Sequence, residues 1–167
     1  MHYGTLSGAA AYHAARGRAD WSGSDVDRTA ALVRASAALD GRYGARFAGV
    51  KTGGRVQELA WPRTGAYDAC AGEEIDSATV PVEIENATYE MALIELMTPG
   101  ALSPVVTPGR ITKREKVGEI EREFFSGTDG GAMGAASLRP VLTAVDDILR
   151  CVLSATTGAA SVELLRV

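Results

Sequence analysis

The chain has 167 residues, 46% of them apolar and 23% charged, with a net charge of −4. That is enough for one domain with a single modest core, and the balance excludes a wholly disordered chain. No run approaches the roughly 20 apolar residues that a bilayer span needs, and the N-terminus lacks a basic, apolar leader, so the expectation is a soluble chain made in the cytosol, with no membrane partner.

The charge is unevenly distributed. Met1 to Arg63 holds nine bases and five acids, whereas Thr64 to Gly109 holds eight acids and no Arg or Lys. Such a division fits head-to-tail contact between copies, or two solvated faces of a monomer. Cys70 and Cys151 lie far apart without a CxxC or Cys/His cluster, so no disulfide framework, zinc site or other cofactor is expected, and both read as small apolar residues.

In chain order, Thr5 or Ser7 can cap a first helix over Ala9 to Arg16 that stops at Gly17. Ser24 caps a longer helix from Asp25 to about Tyr43, with Asp25 and Asp27 in its first turn. Val26, Ala30, Val33 and Ala37 read as its core stripe, widened by Leu32, Leu39 and Tyr43. Residues 44–80 read as a long irregular loop, a length that implies function or docking on a partner. Pro81 then opens a helix ending near Met97, with Ile84, Ala87, Met91 and Ile94 on one face and Tyr89, Leu93 and Leu96 beside it.

After a Pro/Gly-punctuated linker, residues 110–125 read as an extended, strand-like arm. Glu119, Glu121 and Glu123 would share one face and repel, unless Arg122, Lys113, Arg114 and Lys116 of a neighbouring segment compensate. A last helix is expected from about Arg139 to Leu153, on a stripe of Val141, Val145, Ile148 and Val152 with Leu142 and Leu149 adjoining. Residues 154–167 read as an extended tail whose apolar end, Val162, Leu164, Leu165 and Val167, needs a partner. The expected fold is mainly α: a small helical bundle over residues 1–153 with long loops, plus the tail.

The chemistry-bearing stretches exclude more than they offer. Lys51-Thr-Gly-Gly-Arg55 lacks the GxxxxGK[ST] spacing of a phosphate-binding loop. There is no nucleophile elbow and no Cys/His pair with an orienting carboxylate, so no enzyme is expected. His13 reads as a surface or packing residue. Asp146 and Asp147, adjacent on a helix, diverge by about a hundred degrees and read as solvated. In Lys51 to Gly65, Leu59, Trp61 and Pro62 read as an anchor, with Arg55 and Arg63 turned outward towards a neighbour. The competing reading stacks single-stranded bases on Trp61 between those arginines; the acidic balance of the chain weighs against it.

The blocks YGTLSGAAAYHAARG, RASAALDGRYGARF, GGRVQELAWPRTGA, VPVEIENATYEMAL and LSPVVTPGRITKREKVGEIEREF together resemble a family from tailed-phage and prophage head-gene clusters. Its members look like head-tail connector adaptors and often carry the label of DnaT-like single-stranded DNA-binding proteins. The resemblance implies a virion protein of the neck, assembled in the bacterial host cytoplasm, whose roughly twelve copies form a ring. That ring would bind the portal protein and a stopper or tail-terminator protein, and pass double-stranded DNA without specific binding. The arm would then pair with a neighbouring copy, and the tail or last helix would dock on the portal. The alternative is a single-stranded DNA accessory protein.

Overall fold

The computed structural model describes residues 1–105, 112–116, 121–124 and 140–154. They fall into two compact units, one formed by Met1–Pro99 with the chain from Leu142 onward, the other by Gly100–Val141.

Four α-helices are present among the described residues, all in the first unit. Helix α1 (Leu6–Ala15) starts where the Thr5 hydroxyl accepts the Gly8 N–H at 2.9 Å and stops before Gly17, whose positive φ no β-carbon opposes. Helix α2 (Asp25–Tyr43) is capped by Ser24, which accepts the Asp27 N–H at 3.1 Å, and Asp25 and Asp27 face the positive helix end. Helix α3 (Val82–Met97) follows Pro81, which serves as its N-cap rather than its first turn.

Helix α3 is the hub, because α1, α2 and α4 all pack on it. It therefore buries more than one stripe: Ile84, Ala87, Thr88, Tyr89, Met91, Ala92, Leu93 and Glu95. A threonine survives there because its hydroxyl donates to the Ile84 carbonyl at 2.8 Å. Helix α2 presents Ala31, Leu32, Ala35, Ser36, Leu39 and Tyr43 to this core. The expected stripe is thus displaced, with Val26 77% and Val33 38% exposed. Alanines make α2 apolar around most of its circumference, so periodicity alone does not choose a face; the bulk of Leu32, Leu39 and Tyr43 does.

Helix α4 (Thr143–Leu149) is shorter than expected. It buries Val145 and Leu149, while Val141 is 79% exposed. Beyond it the chain leaves the helix and lies against residues 46–47: Leu153 bridges Phe47, and the Ser154 N–H donates to the Arg46 carbonyl at 2.7 Å.

Residues 44–80 form a long connection that carries several short elements. After a 3₁₀ turn at Gly44–Arg46 come β1 (Val50–Lys51) paired with β2 (Arg63–Thr64), and β3 (Tyr67–Asp68) paired with β4 (Glu73–Glu74). In the second unit, β5 (Thr112–Lys116) and β6 (Glu121–Phe124) form an antiparallel hairpin. The register sets Arg114 opposite Glu123 and Lys116 opposite Glu121. Glu119 and the tail residues Val162, Leu164, Leu165 and Val167 lie outside the described residues.

Candidate nucleic-acid interface

The double hairpin at residues 50–74 is held from beneath by a polar network. The Tyr3 hydroxyl donates to Asp40 at 2.7 Å and accepts the Trp61 N–H at 3.0 Å, while the other oxygen of Asp40 accepts the Ala60 N–H at 2.7 Å. The network ties the N-terminus, α2 and the loop together. Burial pushes the Tyr3 hydroxyl well above its ordinary range, with the Asp40 charge adding to the effect, and burial also raises the Asp40 carboxyl. The indole of Trp61 is 2% exposed and meets Phe47 edge-on at 5.7 Å. Leu59 and Ala60 are buried beside it, and Pro62 is half-buried.

Arg63 departs from expectation. It turns inward, 8% exposed, and its guanidinium donates to the carbonyls of Phe47, Ala48, Gly49 and Ala60. A charge with five donors satisfies the carbonyls of residues 47–49 and of Ala60, which offsets its desolvation. Gly49 is required at that turn: its φ is +70°, and a β-carbon there would stand 2.3 Å from the Thr64 carbonyl oxygen. Arg63 is therefore a brace and not a contact for a neighbour. Arg55 is exposed. Lys51 donates from Nζ to the Gln57 carbonyl at 2.9 Å, closing the glycine-rich turn over itself.

One acid and a histidine also settle. Asp146 accepts the Tyr43 hydroxyl at 2.7 Å, so it joins α4 to α2 and is not merely solvated; burial and that bond push the tyrosine up to about 12. His13 is buried, donates from Nε2 to the Tyr89 carbonyl at 3.1 Å, and stacks on Trp21 at 4.9 Å. Desolvation holds it below its ordinary value, neutral and without access to a substrate.

Cys70 and Cys151 form a disulfide, contrary to expectation. An 81-residue separation carries no local signal; the tertiary fold brings the β3–β4 turn onto the end of α4, where the Ala69 N–H also donates to the Cys151 carbonyl at 2.9 Å.

Trp61 is sealed in, whereas Tyr67 is 50% exposed. Its strand belongs to the turn bridged to Cys151, so Arg150 lies on the adjoining segment. Arg46 lies one hydrogen bond from Ser154 on the same segment, and both arginines are exposed. Arg46 and Arg150 are thus exposed on segments joined to the β3–β4 hairpin, on which Tyr67 stands opposite Glu74. By contrast, a groove of about 430 Å³ between the 20–23 turn, α2 and the end of α3 carries Asp20 and Asp27, and its Arg34 is paired with Glu95 at 2.7 Å. Its charge repels phosphate.

No curated protein and no solved structure matches the chain. Over residues 2–167 it does match the family described as "Putative DnaT-like ssDNA binding protein". That match overturns the expectation of a head-tail adaptor, since the family is described by single-stranded DNA binding and not by a neck ring. The physical argument for the adaptor, an acidic and charge-divided chain, describes net charge, which does not fix the potential at any one place on the surface. By that match over residues 2–167, this chain belongs to the DnaT-like single-stranded DNA-binding protein family.

Proposed function

We infer that the protein binds single-stranded DNA as an accessory protein without catalytic activity of its own. The observation that carries this reading is the family match over residues 2–167. The exposed Tyr67 and the cations Arg46 and Arg150 support it chemically, because single strands are held by base stacking on an aromatic ring beside a positive track for the phosphates. Sequence readout is not expected from such a surface, since every base offers a π-face. Trp61, with its ring buried, contributes to the shape of the site and not to stacking.

The experiment is fluorescence anisotropy of a labelled oligothymidine at several salt concentrations, with duplex of the same length as competitor. Binding that weakens linearly with the logarithm of salt and prefers the single strand is expected. Absence of salt-sensitive binding at low ionic strength would falsify the reading.

A further inference from the structure

The β3–β4 turn and the end of α4 bring together more than two sulfurs. We propose that Asp68, Cys70 and Cys151 form a Zn²⁺ site when the cysteines are reduced, so that disulfide and metal are alternative occupants of one place. This goes beyond DNA binding and does not depend on it.

The donor atoms of these three residues all lie within 4.8 Å of one another. Two thiolates bound to zinc at about 2.3 Å in a tetrahedron stand about 3.8 Å apart, so loss of the S–S bond requires only a small parting of the sulfurs. The backbone limits any larger movement. The Ala69 N–H to Cys151 carbonyl bond at 2.9 Å spans the same two segments and survives reduction, and the cysteine Cα atoms stand 5.2 Å apart. Asp68 is held in place as well. Its Oδ1 accepts the N–H groups of Cys70 and Ala71 at 2.7 and 2.9 Å, which orients the carboxylate at the base of the turn.

Two sulfurs and one carboxylate oxygen form a borderline-soft donor set that suits zinc, with a fourth position left for water. Acidic residues dominate the turn, while Arg150 precedes Cys151 on the other segment. Glu73 is the cross-strand partner of Asp68, so the two share a face, and Glu74 and Asp76 follow. Cys70 is solvent-exposed and Cys151 half-buried, which gives reductant and ion access.

The chemistry balances with a dithiol as reductant. It delivers two electrons and two protons, breaks the Cys70–Cys151 bond to leave two thiols, and closes its own disulfide. Zn²⁺ then displaces both thiol protons to solvent. An oxidant that takes two electrons from the thiolates re-forms the disulfide and expels the ion.

The test uses full-length protein reduced with a dithiol, freed of it by gel filtration without oxygen, and titrated with Co²⁺. One ion per chain, a thiolate-to-metal charge-transfer band in the near ultraviolet, and its loss on adding Zn²⁺ are expected, with no band in oxidised protein. Cys70→Ser and Cys151→Ser, checked for retained helicity by circular dichroism, should each weaken Co²⁺ binding by about ten-fold or more, and so should Asp68→Asn, which keeps both sulfurs. Reduced protein without a thiolate band overturns the proposal, as does Co²⁺ affinity unchanged by Asp68→Asn.

Discussion

The Tyr3 hydroxyl stands between Asp40, 2.7 Å away, and the Trp61 backbone N–H, 3.0 Å away, and this one atom couples the N-terminus to the anchor of the double hairpin. Tyr3→Phe keeps the ring and removes both bonds. It leaves a buried carboxylate oxygen and a buried N–H without that partner, so a loss of about 1–3 kcal/mol in urea unfolding is expected. An unchanged midpoint would show that the loop is held without this network.

Trp61→Ala opens a cavity under the hairpin and should cost about 3–5 kcal/mol. Arg63→Met retains much of the side-chain volume but strands four carbonyls; a loss of at least about 2 kcal/mol is expected. If arginine at this position faced a partner instead, Arg63→Met would leave thermal stability unaltered.

His13 predicts a dependence on pH. Its folded value lies below the unfolded 6.5, chiefly through burial, with Arg16 and Arg18 opposing the charge and Glu90 favouring it. Above about 6.5 the imidazole is neutral in both states and stability is level. As pH falls from there, the unfolded chain takes up a proton that the folded imidazole refuses, so stability declines by at most about 1.4 kcal/mol per unit until the folded value is passed. Unfolding at pH 7.5 and 5.5, with His13→Gln as control, checks this; an equal decline in the variant refutes it.

On the proposed DNA surface, Tyr67→Ala should weaken oligothymidine binding by about 1–3 kcal/mol, at least about five-fold in Kd, with the salt slope retained. Arg46→Ala with Arg150→Ala should instead flatten the slope by about 1.4, two phosphates' worth for a single strand. Both variants lie on exposed positions, so melting temperatures should not move.

Cys151→Ser opens an 81-residue closure, for which chain entropy alone assigns about 4.5 kcal/mol. Thermal unfolding of oxidised protein, with and without a dithiol, should show a comparable loss on reduction, partly recovered by Zn²⁺ if the metal takes the disulfide's place. No change on reduction would mean that the disulfide contributes nothing to stability.

Local signals carried the helices. Thr5, Ser24 and Pro81 mark starts, and Gly17 and Pro99 mark ends, because caps and breakers act within one turn of the backbone. The burial of Trp61 was legible for a similar reason, since so large an apolar ring rarely stays in water. Which face of α2 turns inward was not legible from periodicity, because alanine makes several faces apolar, and the bulk of Leu32, Leu39 and Tyr43 packing on α3 decides among them. The inward turn of Arg63 onto residues 47–49, the Tyr3–Asp40 bond and the Cys70–Cys151 pairing join residues from 14 to 81 positions apart, and no periodicity records such meetings. Net charge is a property of the chain, whereas local potential belongs to the surface, and the surface exists only once the chain has folded.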